Sequence, residues 1–238
     1  MRIKESLQYA TTERAEALLL AIRLQRASVD RFYDRLHYWL YFKPFFGSHI
    51  DLIGKADIRI HRSTQLFMHD SRIVVENGVL SIGHHPLRRS KDDSTLRLQH
   101  STLHVLGNVE LRAGVRIWAM NANVAIGNGT VINGPSGIVS KAAVEIGSHV
   151  LIAANTSIMD CDLHKHAVAG EKPQDIGEKV TIGDRCWIGN HVTILKGVVI
   201  GDGSIVAAHS LVVKDVEART MVAGVPARKI KENIIWEP

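Results

Sequence analysis

The stretch VTIGDRCWIGNHVTILKGVVIGDGSIVAAHSLVVKD, residues 180–215, repeats an aliphatic side chain every six residues. The repeated positions, in order, are Ile182, Ile188, Ile194, Ile200, Val206 and Val212. An α-helix does not use this period, because its apolar face recurs about every 3.6 residues. Six is a multiple of two, which suits strands whose side chains alternate between interior and exterior. The stretch therefore predicts short β-strands that share one interior.

The same period occurs in two earlier runs of the chain. Their positions are Ile126, Ile132 and Ile138 in the first run, and Ile146, Ile152 and Ile158 in the second. Between the strands, segments such as IGNGT and IGDGS supply the Gly, Asn and Asp residues that turns favour. Three short strands are thus expected to complete one triangular coil. The second run is offset from the first by two residues, which predicts a small insertion at one corner.

The repeat is clear from residue 124 to residue 213 and irregular between residues 50 and 124. Residues 159–181 hold few aliphatic side chains in register, so we predict a loop that is ejected from one corner of the coil stack. The predicted organisation is a helical N-terminal segment over residues 1–47, a parallel β-helix over residues 48–222 and a C-terminal cap over residues 223–238.

The N-terminal segment carries a helical pattern over residues 12–42. The apolar side chains that share one face are Leu18, Ile22, Val29, Phe32, Leu36 and Trp39. We expect this helix to cover the open end of the coil stack. Residues 32–46 are also rich in aromatic side chains and contain Arg35 and Lys43, a composition that suits peripheral contact with a membrane.

Length, charge and cysteine content limit the possible partners and the cellular compartment of the protein. The chain has 238 residues, 45% of them hydrophobic, and a net charge of +5, with its basic residues scattered. It shows no nucleic-acid-binding motif, and we expect no nucleic-acid partner. Cys161 and Cys186 form neither a disulfide framework nor a multi-cysteine zinc pattern, which favours a reducing compartment. The polar start of the sequence resembles no secretory signal, so a cytoplasmic location is expected.

The segment IMDCDLHKHAVAG, residues 158–170, lies where the six-residue period stops. It places two carboxylates and two imidazoles between Asp160 and His166. Loops on a rigid scaffold often carry binding and catalytic groups. The segment is therefore the first candidate for a functional site.

Several motifs together resemble one known family. SIMDCDLHKH at residues 157–166, WIG at 187–189, VVKD at 212–215 and VAGVPARKI at 222–230 are similar to segments of the acetyl-CoA-dependent sugar O-acetyltransferases with hexapeptide repeats. The resemblance covers about residues 124–232. It implies a left-handed β-helix, acetyl-CoA as cosubstrate, a carbohydrate acceptor, and a homotrimer with its sites between subunits.

In that family, a loop histidine is the general base that takes a proton from the acceptor hydroxyl. Histidine suits this task because it exchanges a proton near neutral pH. The resemblance implies that His164 is the base, with His166 as the second candidate. Asp160 or Asp162 is then expected to hold the imidazole in the required tautomer.

The resemblance also implies a coenzyme groove between neighbouring coils. The matching positions are Trp187, Asn190, Ala208, Ser210, Lys214, Arg228 and Lys231. Lys214, Arg228 and Lys231 suit coenzyme binding for a physical reason, because coenzyme A carries phosphates that attract cations. Asn133 matches a position that touches the acceptor. An acidic residue common shortly after it is replaced here by Ser140 and Lys141, a departure that leaves the acceptor open.

Three alternatives remain at this point. The first is a zinc enzyme like the gamma-class carbonic anhydrases, with ligands drawn from His149, His164, His166, His191 and His209. The second is a scaffold without catalytic activity. The third is transfer of the acetyl group to an amino sugar, or transfer of a longer acyl chain. We favour O-acetylation of a glycan precursor of a capsule or lipopolysaccharide and expect no metal among the site residues.

Overall fold

The computed structural model describes residues 48–61, 64–84, 93–165, 167, 169–170 and 176–237. The predicted N-terminal helix and the aromatic segment 32–46 lie outside the described residues, and so does His166. Within the described residues the regular secondary structure consists of β-strands, and no helix is long and apolar enough to cross a membrane.

The chain forms short strands separated by tight corners. In chain order they are β1 (His49–Ile53), β2 (Asp57–Ile60), β3 (Gln65–His69), β4 (Arg72–Glu76), β5 (Val79–His84), β6 (Thr95–Gln99), β7 (Thr102–Leu106), β8 (Val109–Arg112), β9 (Arg116–Met120), β10 (Asn123–Ile126), β11 (Thr130–Ile132), β12 (Gly137–Ser140), β13 (Ala143–Ile146), β14 (Leu151–Ile152), β15 (Ser157–Met159), β16 (Val180–Ile182), β17 (Trp187–Ile188), β18 (Thr193–Ile194), β19 (Val199–Ile200), β20 (Ile205–Val206), β21 (Leu211–Val212), β22 (Met221–Gly224) and β23 (Ala227–Lys231).

These strands make three sheets, because each strand up to β18 pairs with the strand three places later in the chain. Sheet one has the order β1-β4-β7-β10-β13-β16-β19, and sheet three has the order β3-β6-β9-β12-β15-β18-β21. Sheet two has the order β2-β5-β8-β11-β14-β17-β20-β22-β23. The pairings are parallel except for that of β22 with β23, which is antiparallel. The predicted mainly-β architecture of parallel, stacked coils is confirmed.

The corners define three edges of the stack, which we name the one–two, two–three and three–one edges after the sheets they join. The predicted two-residue insertion lies on the three–one edge, between β12 and β13. There Val124 pairs with Val144, 20 positions later, whereas Thr181 pairs with Val199, 18 positions later.

The core is a set of aliphatic ladders inside the coils. The first follows sheet one, where Ile146 pairs with Ile182 and Ile182 pairs with Ile200. A second ladder follows sheet two, where Ile188 pairs with Val206. These side chains are almost completely buried. Burial of each side chain stabilises the fold by about 1.5–3 kcal/mol, because its apolar surface is removed from water. The six-residue period of the sequence arises because these inward-facing positions must be aliphatic.

The C-terminal residues fold back against sheet two. Strand β22 continues the sheet next to β20, and β23 then turns antiparallel to β22. The predicted boundary between residues 222 and 223 falls inside β22. After β23, the Ile234 amide donates a hydrogen bond to the Arg219 carbonyl at 3.0 Å. This length is normal for a backbone hydrogen bond, and the bond fixes the chain after β23.

Candidate functional site

The ejected segment leaves the coil stack at the three–one edge. Strand β15 ends at Met159 and β16 begins at Val180, as the break in the six-residue period predicts. The base of the segment is a narrow antiparallel neck, in which Cys161 bridges Gly177. The Asp162 amide donates to the Ile176 carbonyl at 2.8 Å within this neck. The backbone around the candidate catalytic residues is therefore tied down.

Asp160 joins the base of the neck to the preceding coil. Its carboxylate is fully buried and accepts three hydrogen bonds: one from the Ser140 hydroxyl at 2.6 Å, one from the Lys141 amide at 2.7 Å and one from the Ala142 amide at 3.0 Å. Ser140 and Lys141 are the residues that depart from the family pattern, and here they hold Asp160. Through these contacts Asp160 anchors the neck to the preceding coil. Asp162, two positions before His164, is the carboxylate closer in sequence to the candidate base.

Two lysines hold the turn that precedes His164, one from each flanking coil. Lys196, at the three–one edge after β18, forms an ion pair with the Asp162 carboxylate. Lys141, at the same edge after β12, donates through Nζ to the Leu163 carbonyl at 3.2 Å. The hydrogen bond to Asp162 raises the pKa of Lys196, so this ammonium stays charged. The turn is thus clamped from both sides.

His164 itself is presented to solvent. Its amide donates to the Asp162 carbonyl at 2.7 Å, and Leu163 between them has a φ of 63°. The His164 side chain at this tight turn is exposed. An exposed imidazole on a fixed turn can exchange a proton with a bound hydroxyl.

Both cysteines are free thiols inside the fold. Burial raises the pKa of Cys161, and the nearby charge of Asp160 acts in the same direction. Burial raises the pKa of Cys186 to about 11. Since the thiolate is the reactive form, neither residue has the character of a nucleophile.

Asn133 lies at the two–three edge, directly after β11. Its side-chain oxygen accepts from Arg112 Nη1 at 2.8 Å, and its amide nitrogen donates to the Ile152 carbonyl at 2.9 Å. Arg112 is in turn paired with Glu110, with Nε 3.1 Å from Oε1. Arg112 and Glu110 were not predicted as site residues from the sequence, because they lie in the irregular part of the repeat.

The proposed coenzyme residues fall into two groups. Trp187, on the outer face of sheet two, is 40% exposed and packs against Trp236, with ring centroids 5.9 Å apart. Asn190 and Ala208 are exposed at stacked corners of the two–three edge, where the His209 amide donates to the Asn190 carbonyl at 2.8 Å. Asn190 and Ala208 therefore lie on the same edge as Asn133.

The remaining coenzyme candidates differ in exposure. Lys214 is exposed at the three–one edge, and Arg228 and Lys231 are exposed on β23. Ser210 is buried, and its hydroxyl accepts from the Gly224 amide at 3.2 Å. The three cations are thus available to a phosphate, whereas the Ser210 hydroxyl is engaged in the packing of β22.

The predicted site residues are not brought together within one chain. His164 and Asn133 lie at opposite edges of sheet three, because β15 leads into the three–one edge and β11 leads into the two–three edge. The histidines of the zinc alternative are also dispersed: His149 lies at the one–two edge, and His191 stacks on His209 at the two–three edge with centroids 4.7 Å apart. In the described part of the chain, none of these histidines belongs to a group of potential metal ligands.

Comparisons with known proteins agree with this architecture. The family described as "Bacterial transferase hexapeptide (six repeats)" matches residues 179–214. The Galactoside O-acetyltransferase of Escherichia coli (strain K12) is 33% identical over 148 residues, covering 62% of this chain and 71% of that protein. The Putative lipopolysaccharide biosynthesis O-acetyl transferase WbbJ of the same organism is 34% identical over 141 residues, covering 52% of this chain and 70% of that protein.

Two solved structures show the same fold over most of their length. The polySia specific acetyltransferase NeuO aligns with a TM-score of 0.64 at 22% identity, covering 81% of this chain and 89% of that chain. The polysialic acid O-acetyltransferase OatWY aligns with a TM-score of 0.54 at 23% identity over the same shares.

Proposed function

Because this chain belongs to the hexapeptide-repeat acetyltransferase family and is an acetyl-CoA-dependent O-acetyltransferase, we propose that it acetylates a sugar hydroxyl of a glycan precursor. The acceptor class is supported by the names of its relatives, one acting on galactosides and one assigned to lipopolysaccharide biosynthesis. The observation that carries the proposal is the clamped turn of Asp162, Leu163 and His164, which holds an exposed imidazole at a fixed place on the β-helix.

His164 acts as the general base in this proposal. Its imidazole accepts the proton of the acceptor hydroxyl while the oxygen attacks the thioester carbonyl of acetyl-CoA. The new C–O bond forms, the C–S bond breaks, and the imidazolium returns the proton to the departing thiolate. A base placed in this way accelerates the transfer by about 100- to 10,000-fold. His166 is the second candidate for the same task.

The two carboxylates of the loop have different tasks. Asp160 accepts three hydrogen bonds from the preceding coil, so we assign it to anchoring the neck. Asp162 positions the base: its carbonyl accepts the His164 amide, and its carboxylate is held by Lys196. A fixed base matters because a displacement of about 1 Å can cost about 100-fold in rate.

The active assembly is proposed to be a homotrimer. His164 and Asn133 lie at opposite edges of sheet three, so one copy of the chain supplies only half of the site. A neighbouring copy that places its two–three edge against the three–one edge of the first would bring the two halves together. Three triangular stacks arranged in this way form a closed ring, in which every two–three edge meets the three–one edge of a neighbour.

Acetyl-CoA is proposed to bind along the two–three edge. Trp187, Asn190 and Ala208 would face the pantetheine arm, and Ser210 would support this surface from behind. Arg228 and Lys231, together with Lys214 from the three–one edge of the neighbouring copy, would neutralise the coenzyme phosphates, since exposed cations suit this task. Asn133, whose amide is fixed by Arg112, would contact the acceptor.

The coils are proposed to wind in the left-handed sense of the family. The β-helix covers residues 48–222, and residues 223–238 form the cap. The protein is proposed to act in the cytoplasm.

An acceptor screen tests the proposal. The purified chain is incubated with acetyl-CoA and with free sugars, nucleotide sugars or lipid-linked sugars, and the release of free coenzyme A thiol is followed. We expect thiol release that depends on a hydroxyl-bearing sugar, with an ester as the product. A product that carries its acetyl group on nitrogen, or hydration of CO₂ without use of acetyl-CoA, would contradict the proposal in favour of the alternatives.

A further inference from the structure

Two histidines and one aspartate lie together at the three–one edge, near the N-terminal end of the described coils. His69 ends β3, Asp70 forms the next corner, and His100 occupies the equivalent corner one coil later. His69 Nδ1 lies 3.3 Å from Asp70 Oδ2, and His100 Nδ1 lies 3.5 Å from the same oxygen. One potential ligand atom from each residue lies within 4.8 Å of the other two.

These separations match the spacing of ligands around a metal ion. A tetrahedral ion with bonds of about 2.0–2.1 Å holds neighbouring ligand atoms about 3.3 Å apart. A direct hydrogen bond between nitrogen and oxygen is usually about 2.9–3.0 Å long. Two imidazoles with one carboxylate suit zinc and similar transition metals, whereas magnesium and calcium prefer oxygen ligands. We propose that His69, Asp70 and His100 bind one divalent transition-metal ion of the zinc class.

The scaffold already holds the three ligands near their required positions. The His100 amide donates to the His69 carbonyl at 2.8 Å, which joins the two coils directly between the histidines. One residue further, the Ser101 amide donates to the Ser71 hydroxyl at 3.1 Å. The two rings meet edge to face with centroids 5.0 Å apart. These contacts fix the backbone that carries the three ligands, which lowers the ordering entropy that opposes binding.

The ion would keep an open coordination position. All three side chains are about half exposed, and Asp70 and His100 also line a cavity of about 350 Å³. Three protein ligands leave a fourth position for water or a small anion. Arg72 lies on the wall of the same cavity and favours an anion there.

This site is separate from the proposed catalytic turn. Its ligands come from the corners after β3 and β6, whereas His164 follows β15 on the same edge. A bound ion would tie two successive coils together near one end of the stack. We therefore expect the ion to raise the thermal stability of the chain, whether or not the proposed acetyl transfer is correct.

Metal titration of the full chain, freed of any histidine tag, tests the proposal. Zinc binding is measured by calorimetry, and Co²⁺ is used as a second probe because its visible absorption reports imidazole ligation. We expect one ion per chain for the natural sequence. In Asp70→Asn and His100→Asn, the affinity should fall at least about tenfold. Asn is chosen because Asp70 and His100 have φ values of 43° and 48°, a conformation that Asn tolerates.

His149→Asn is the matched control. His149 is an exposed corner histidine with a φ of 57°, and it lies at another edge. The His149→Asn variant should bind zinc as tightly as the natural sequence. Zinc should raise the unfolding temperature of His149→Asn and leave the unfolding temperature of His100→Asn unchanged. Two results would overturn the proposal: no saturable binding of Zn²⁺ in the micromolar range, or equal binding by His100→Asn and the natural sequence.

Discussion

Lys196 pairs with Asp162 across the gap between the ejected segment and the coil that follows it. The partners are 34 positions apart in the chain, and the pair closes the turn whose next residues are Leu163 and His164. Lys141 holds the same turn from the preceding coil. The position of the proposed base thus depends on two cations of the rigid stack.

Loss of the Lys196 ammonium should therefore impair catalysis more than binding. We expect Lys196→Met to lower kcat about tenfold or more while the KM for acetyl-CoA changes little, because a displaced base slows the chemical step. Lys196→Arg should restore part of the rate. Steady-state kinetics with varied acetyl-CoA measures both constants.

Lys179→Met is the control for this variant. Lys179 pairs with Glu145 at 2.6 Å, so the variant removes another exposed ion pair from the same part of the chain. Its kcat should stay near that of the natural sequence. An equal loss in both variants would show that Lys196 has no specific connection with the base.

Asp160 should contribute to stability because it is buried and accepts three hydrogen bonds. Asp160→Ala leaves these donors without their acceptor, and we expect a loss of about 3 kcal/mol or more in the free energy of unfolding, since each buried donor left unsatisfied costs about 1–3 kcal/mol. Urea unfolding followed by circular dichroism measures the loss. Asp215→Ala is the comparison, since the exposed Asp215 accepts one bond, from the Val199 amide at 2.8 Å. Its cost should be about 1 kcal/mol, and equal costs would refute the anchoring role.

Cys186 should resist alkylation in the folded protein. Its side chain is buried, and burial raises its pKa from 9.0 to about 11. At pH 8, iodoacetamide should label the unfolded chain much faster than the folded one, as mass spectrometry would show. Because the unfolded thiol ionises at lower pH than the folded thiol, this residue also makes stability fall as the pH rises from about 9 to about 11. Rapid labelling of the native protein would contradict the buried position.

The two halves of the proposed site should complement each other between copies of the chain. His164→Ala and Asn133→Ala should each be nearly inactive alone. Co-expressed in equal amounts, they should form mixed trimers in which about a quarter of the interfaces carry both natural residues, so about a quarter of the activity returns. Light scattering would confirm the trimer. No recovery in mixed trimers would place both residues in one copy's site.

The fold was predictable where the coil length is constant. In β16 to β21 each coil takes 18 residues, so the inward side chains recur visibly, as with Ile182 and Ile200. Earlier coils have longer strands and corners, and Leu103 pairs with Val124 across 21 positions. The interior is equally aliphatic there, but no single period describes it.

The candidate site was predictable only in part. The loop around His164 is visible because it interrupts the period. The contacts of Lys141 and Lys196 with that loop are not visible, because they join residues of different coils. The same holds for His69 and His100, which are 31 positions apart and meet only through the pairing of β3 with β6.

The rate of acetyl transfer by His164→Gln tests the central claim most directly. Gln keeps a polar side chain of similar size but cannot act as a base, so kcat/KM with a sugar acceptor should fall about 100- to 10,000-fold. The exposed neighbour variant Lys165→Gln should keep its rate, and both proteins should unfold at the temperature of the natural sequence. A kcat/KM for His164→Gln within about twofold of the natural value would contradict the account.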